Sequence, residues 1–241
     1  MPINHTVRSF DEELSYLEAK IAKMGTFASE MIEEAVNAIV NSDLALAKKV
    51  IADDMFLDET EREIDEKSVA IIAKRQPMAV DLREIIGAMR ISADLERVGD
   101  MGKNIAKRTP AIVESKQPAS FYHGLQSFAT LTLNQLKEVL DAYASRSLER
   151  IDAVRDRDEE IDAMYTSLFR ELLTYMMEDP RNITACTHLL FCAKNIERIG
   201  DHATNIAETL HYIMTGTYLT TDRPRDDLTY KVGADDEKTT K

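Results

Sequence analysis

Leucine, isoleucine, methionine and alanine recur at steps of three and four along most of this chain, the spacing that lays apolar side chains along one stripe of an α-helix. The first run holds Leu14, Leu17, Ile21, Met24, Ala28, Met31, Ile32, Ala35 and Ile39. Ser9 with Glu12 reads as a capping box at its start, and Asn41-Ser42-Asp43 closes it. A second run passes Leu46, Val50, Ile64, Ile71 and Ile72 to Pro77, whose fixed φ and missing N–H suit the start of a third helix that stops near Pro110. Pro118 opens a fourth stripe through Leu125, Phe128, Leu131, Leu136, Val139 and Leu140, turned at Ser145-Arg146-Ser147. A fifth, from Leu148 through Ile151, Val154, Ile161, Leu168 and Leu172, ends near Asp179-Pro180, and a sixth reaches Thr215-Gly216.

The third and sixth helices carry one string written twice. Leu95-Glu96-Arg97-Val98-Gly99-Asp100 and Ile196-Glu197-Arg198-Ile199-Gly200-Asp201 each continue to Asn-Ile-Ala, at Asn104-Ile105-Ala106 and Asn205-Ile206-Ala207, with an offset of 101 residues. Repetition at a fixed offset points to two related halves. The pattern therefore predicts an all-α fold of two tandem three-helix bundles, six long helices in all, over residues 1–112 and 113–216. Residues 217–241 hold too little apolar surface to offset the entropy of ordering and read as a disordered polar tail.

Composition narrows the function. With 241 residues and 44% hydrophobic content the chain can bury a sizeable core, and 8 Gly and 6 Pro leave little material for turns. A net charge of −13 disfavours nucleic acid as a partner. No apolar run approaches the roughly 20 residues needed to span a membrane, and Met1–Glu13 is polar throughout, unlike a signal peptide. Cys186 and Cys192 fall on different faces of one predicted helix, which suits neither a disulfide nor a shared metal, and two reduced thiols fit a cytoplasmic protein.

Candidate chemistry rests on the repeated string. At about 100° per residue, Glu96, Asp100, Lys103 and Lys107 share one side of the third helix, while Leu95, Val98, Gly102, Ile105 and Ala106 share the other, so the carboxylates are expected off the core. Like charges at i and i+4 cost a few tenths of a kcal/mol unless Arg97, Lys103 or a bound cation compensates them. Gly99 and Gly200, mid-helix, each imply close approach of a neighbour. Oxygen-seeking cations suit such pairs. Asp58, Glu61 and Asp65 of the second helix could complete a site, with Arg155, Asp158 and Asp162 as their counterparts at an offset of 97, which sets Arg155 against Asp58 and makes the two sites unequal. His202 reads as a lone surface imidazole. The chain has no glycine-rich phosphate loop, G-x-S-x-G, H-E-x-x-H or cysteine zinc pattern.

Arg75-Gln76-Pro77-Met78-Ala79-Val80-Asp81-Leu82-Arg83, with Asp94–Asp100 and Asn195–Asp201, resembles the signature of the PhoU family of phosphate-transport regulatory proteins. The resemblance implies metal sites at Glu96 and Asp100 and at Glu197 and Asp201, holding iron or zinc first and manganese or magnesium next. Asn195 in place of Asp94 would weaken a second site that relied on that carboxylate. It also implies a cytoplasmic homodimer, peripherally associated with its membrane partners and not an enzyme. Such a protein negatively regulates phosphate uptake and the phosphate-starvation response, as an adaptor between the nucleotide-binding subunit of a Pst-type phosphate ABC transporter and a sensor histidine kinase. The competing reading is a carboxylate-bridged metalloenzyme acting on phosphoesters or in redox chemistry.

Overall fold

Asp43 shows how the chain turns. Its carboxylate accepts the backbone N–H groups of Ala45 and Leu46 at 2.9 Å each, satisfying donors that a helix start leaves open, while Ser42 takes up a left-handed φ of 55°. The same device recurs later: Ser147 caps through Arg150 N at 3.4 Å and Arg146 carries the left-handed φ of 52°. These turns join α1 (Arg8–Val40) to α2 (Leu44–Arg75), and α5 (His123–Ser145) to α6 (Leu148–Glu178). A computed structural model describes residues 8–115, 117 and 119–219. The tail expected over 217–241 lies outside the described residues from 220 onward.

The motif helices are α3 (Val80–Ala106) and α7 (Ile183–Thr215), so the all-α, six-long-helix architecture stands. At 1.5 Å per residue the 33-residue α1 is about 50 Å long. Within the first half, Lys20 pairs with Glu63 and Lys49 with Glu34, which sets α1 and α2 antiparallel. Two details of the helix ends differ from expectation. Ser9 lies inside α1, where its hydroxyl accepts from Arg75 Nη2 at 2.7 Å. Pro110 does not stop a helix; α3 ends at Ala106, and Pro110 sits in the first turn of a short helix α4 (Thr109–Glu114), where a missing N–H costs nothing. Ile112 of α4 is fully buried.

The halves share one continuous core. α3 packs on α7 and α1 on α5, each against its own counterpart in the repeat. The contacts run antiparallel: Gly87 meets Ile213 while Asp94 meets His202, and Gly25 meets Leu140 while Glu18 meets Arg146. Consequently the two copies of the motif sit on adjacent helices at the centre of the molecule.

Candidate functional site

Gly99 and Gly200 bring the outer helices close. A Cβ on Gly99 would collide with Leu57 of α2, and one on Gly200 would lie 3.1 Å from Ile161 Cδ1 of α6 and 3.2 Å from Gln135 Oε1 of α5. Leu57 and Ile161 are thus counterparts, an offset of 104. The left-handed turn residues Ser42 and Arg146 stand at that same offset, and under it Val50, Asp54 and Leu57 fall on Val154, Asp158 and Ile161, all buried. The offset of 97 read from sequence is therefore corrected. Seven residues are almost two helical turns, so a slip of that size leaves the apolar stripe on the same face and periodicity alone cannot detect it. Asp58 corresponds to Asp162, and Arg155 does not stand in its place.

In the first half, each acid has a cationic neighbour. Arg97 Nε lies 3.3 Å from Glu96 Oε2, and its Nη1 lies 3.6 Å from Asp100 Oδ2. Lys103 Nζ lies 3.3 Å from Asp100 Oδ1 and donates to Asp54 Oδ2, a carboxylate only 6% exposed. Burial pushes the Glu96 carboxyl up, Arg97 opposes it, and Asp100, Asp58 and Glu61 add to it. The bond to Asp54 pushes the Lys103 ammonium pKa up.

The second half is built differently. Glu197 was expected off the core but is buried, with a side chain 9% exposed. Lys194 reaches its Oε1 at 2.7 Å, while Oε2 is buried without a hydrogen-bond partner. Burial raises its pKa, Lys194 opposes, and Asp201 and Asp162 add to the rise. The place of Lys103 is taken by Thr204, whose hydroxyl donates to Asp158 Oδ1 at 3.1 Å. Gln135 Nε2 donates to Val154 O at 3.0 Å and approaches Thr204 Oγ1 at 3.4 Å.

Asp94 and His202 prove to belong to the seam. His202 Nδ1 lies 2.8 Å from Asp94 Oδ1, and Asn205 Nδ2 lies 3.3 Å from the same oxygen, so α7 grips α3 through a half-buried carboxylate. His202 is thus not a lone surface imidazole, and the exchange of Asp94 for Asn195 bears on the seam instead of on a ligand set. Sequence reasoning passed over Asp54, Asp158, Gln135 and Thr204; matching the two left-handed turns would have aligned both aspartates.

Whether these residues suit a metal ion has two answers. Carboxylate oxygens are right for a hard cation, and the orphaned Glu197 Oε2 is an acceptor awaiting a positive partner. The first half already has Lys103 between its acids. Among the described residues no group of three or more His, Cys, Asp or Glu is placed to hold a metal ion, so neither half presents a finished cage.

The PhoU domain model matches residues 21–109 and 125–210. A phosphate-specific transport system accessory protein PhoU homolog of Rhizobium meliloti is 64% identical, covering 95% of this chain and 97% of the relative. The crystal structure of PhoU from Pseudomonas aeruginosa is 36% identical with a TM-score of 0.82, over 86% of this chain and all of that one. The phosphate transport system regulatory protein PhoU from Streptococcus pneumoniae is 29% identical with a TM-score of 0.81, over 88% of this chain. These relatives are accessory and regulatory proteins, not enzymes, and the metalloenzyme reading ends there. No helix among the described residues is long and apolar enough to cross a membrane.

Proposed function

The chain belongs to the PhoU family of phosphate-specific transport accessory proteins, and from that premise we propose that it represses phosphate uptake and the phosphate-starvation response while phosphate is plentiful. It acts by contact, as a cytoplasmic homodimer docking on the nucleotide-binding subunit of a phosphate ABC transporter and on a sensor histidine kinase. The observation that carries this reading is relatedness over nearly the whole chain, both halves included, to accessory proteins of phosphate transport.

Metal binding belongs to the same proposal. Glu197 and Asp201, with Asp162 beside them, would hold a hard cation in the second half, and Glu96 with Asp100 are the corresponding pair in the first. The ion supplies positive charge that draws α6 and α7 together around buried carboxylates. The chain's own residues supply the rest: Gly99 and Gly200 let α2 and α6 approach, and Asp94 with His202 and Asn205 ties the two motif helices so that a shift in one half is felt in the other.

Affinity capture from membranes containing both partners tests the adaptor role. The tagged chain is expected to retain the transporter's nucleotide-binding subunit and the kinase from phosphate-replete cells. Retention of neither, with the chain folded and dimeric by sedimentation velocity, would contradict it.

A further inference from the structure

Aligning the halves at the registers the structure imposes sets Asp54 against Asp158, Asp100 against Asp201 and Lys103 against Thr204. The acids correspond; the cation does not. Lys103 is half-buried between Asp54 and Asp100 and bonds both. Thr204, only 1% exposed, supplies a neutral hydroxyl in the same place. An ammonium and a metal ion compete for the same carboxylate oxygens, and both cannot occupy one small space. A threonine hydroxyl adds no charge and leaves the local field negative.

Glu197 shows the consequence. Its side chain is more than nine-tenths buried, its Oε1 is taken by Lys194 reaching in from the surface, and its Oε2 meets no donor. Gln135 Oε1, fully buried beside Gly200, is a second acceptor without a partner. Buried acceptors are ordinarily satisfied, so the second half is short of a positive or donating group where the first half has Lys103.

We propose that Lys103 is a built-in cation that fills the first carboxylate set, and that a hard divalent ion binds selectively in the second half, at Glu197 and Asp201 with Asp162. This rests on the metal reading of the proposed function and goes beyond it by ordering the two sites. Loading the first half requires expelling the Lys103 ammonium from two carboxylates; loading the second requires no such step.

The test is calorimetric titration of Mn²⁺ into the metal-free full chain, with bound ion counted by electron paramagnetic resonance. The wild type is expected to show one tight site per chain, lost in Glu197→Gln. Lys103→Thr is expected to add a second site of comparable affinity, removed again by Asp100→Asn, and Mn²⁺ is expected to raise its melting temperature more than the wild type's. Thr204→Lys, if circular dichroism shows it folded, should weaken the tight site at least tenfold. Two equal sites in the wild type, or no gain in Lys103→Thr, would overturn the ordering and leave the metal reading standing. No bound Mn²⁺ in any variant, Lys103→Thr included, would overturn both.

Discussion

Leu57 is fully buried against Gly99, so its Cδ1 has no space to yield to a new methyl group. Alanine at Gly99 gains about 1 kcal/mol of helix propensity but overpacks a filled core, which costs about 1–3 kcal/mol. Gly99→Ala is expected to lose roughly 1 kcal/mol net by chemical denaturation. Gly200→Ala, facing Ile161 and Gln135 at 3.1–3.2 Å, should be closer to neutral. The sequence could show that each glycine needed a close neighbour, because a mid-helix glycine is otherwise a loss; which neighbour depended on helix register. The cysteines were legible as unpaired. Both are buried, and burial pushes the thiol pKa up to about 11 at Cys186 and about 12 at Cys192. Folded protein at neutral pH should therefore resist iodoacetamide at both positions, with labelling appearing only on unfolding.

Helix type and helix ends follow from period and capping residues, but the pairing of helices across the repeat does not. A seven-residue slip between α2 and α6 keeps every apolar position on the core face, and only the turn geometry at Ser42 and Arg146 and the glycine contacts fix the true alignment. That alignment makes the α2–α3 ion pair a packing element in its own right. Asp54 is 4% exposed as a residue and relies on Lys103. Lys103→Met should cost about 2–4 kcal/mol by leaving a buried carboxylate unpaired, and adding Asp54→Asn should recover much of the loss. Additive losses in that double-mutant cycle would mean the two side chains do not interact. The buried Glu197 escaped the helical projection for a related reason. Projection of one helix knows nothing of the second neighbour, and α7 is flanked by α3, α5 and α6 together.

The molecule as a whole is held as one body at the seam between halves. Arg146, at the α5–α6 turn, donates through Nη2 to Glu18 of α1 at 2.6 Å and to Glu84 of α3 at 2.8 Å, and its guanidinium lies 5.0 Å from the Tyr143 ring centre. Burial pushes the Glu84 carboxyl up, with Arg146 pulling it back. A carboxyl whose folded pKa exceeds its unfolded one binds more protons when folded, so its charge costs stability that returns as pH falls through the folded pKa. Arg146→Asn keeps a residue suited to the left-handed turn but frees Glu84 of its counter-charge. The variant is expected to lose about 1–2 kcal/mol at neutral pH, discounted for the half-exposed Glu18, and the deficit should shrink as pH is lowered through the raised Glu84 pKa. A deficit that grows with acidity would contradict this.

Two halves, one core and a related pair of carboxylate sites across a shared seam fit a protein that regulates by contact. The repeated string disclosed the halves, and kinship to accessory proteins of phosphate transport gave them a purpose that no side-chain geometry could have supplied. The most direct test is a phosphate-starvation reporter in cells lacking this chain, grown in high phosphate and complemented with either the wild type or the Glu197→Ala, Asp201→Ala variant. Reporter expression is predicted to rise on deletion, to return to the repressed level with the wild type, and to stay high with a folded variant. A reporter that remains fully repressed after deletion would contradict the account.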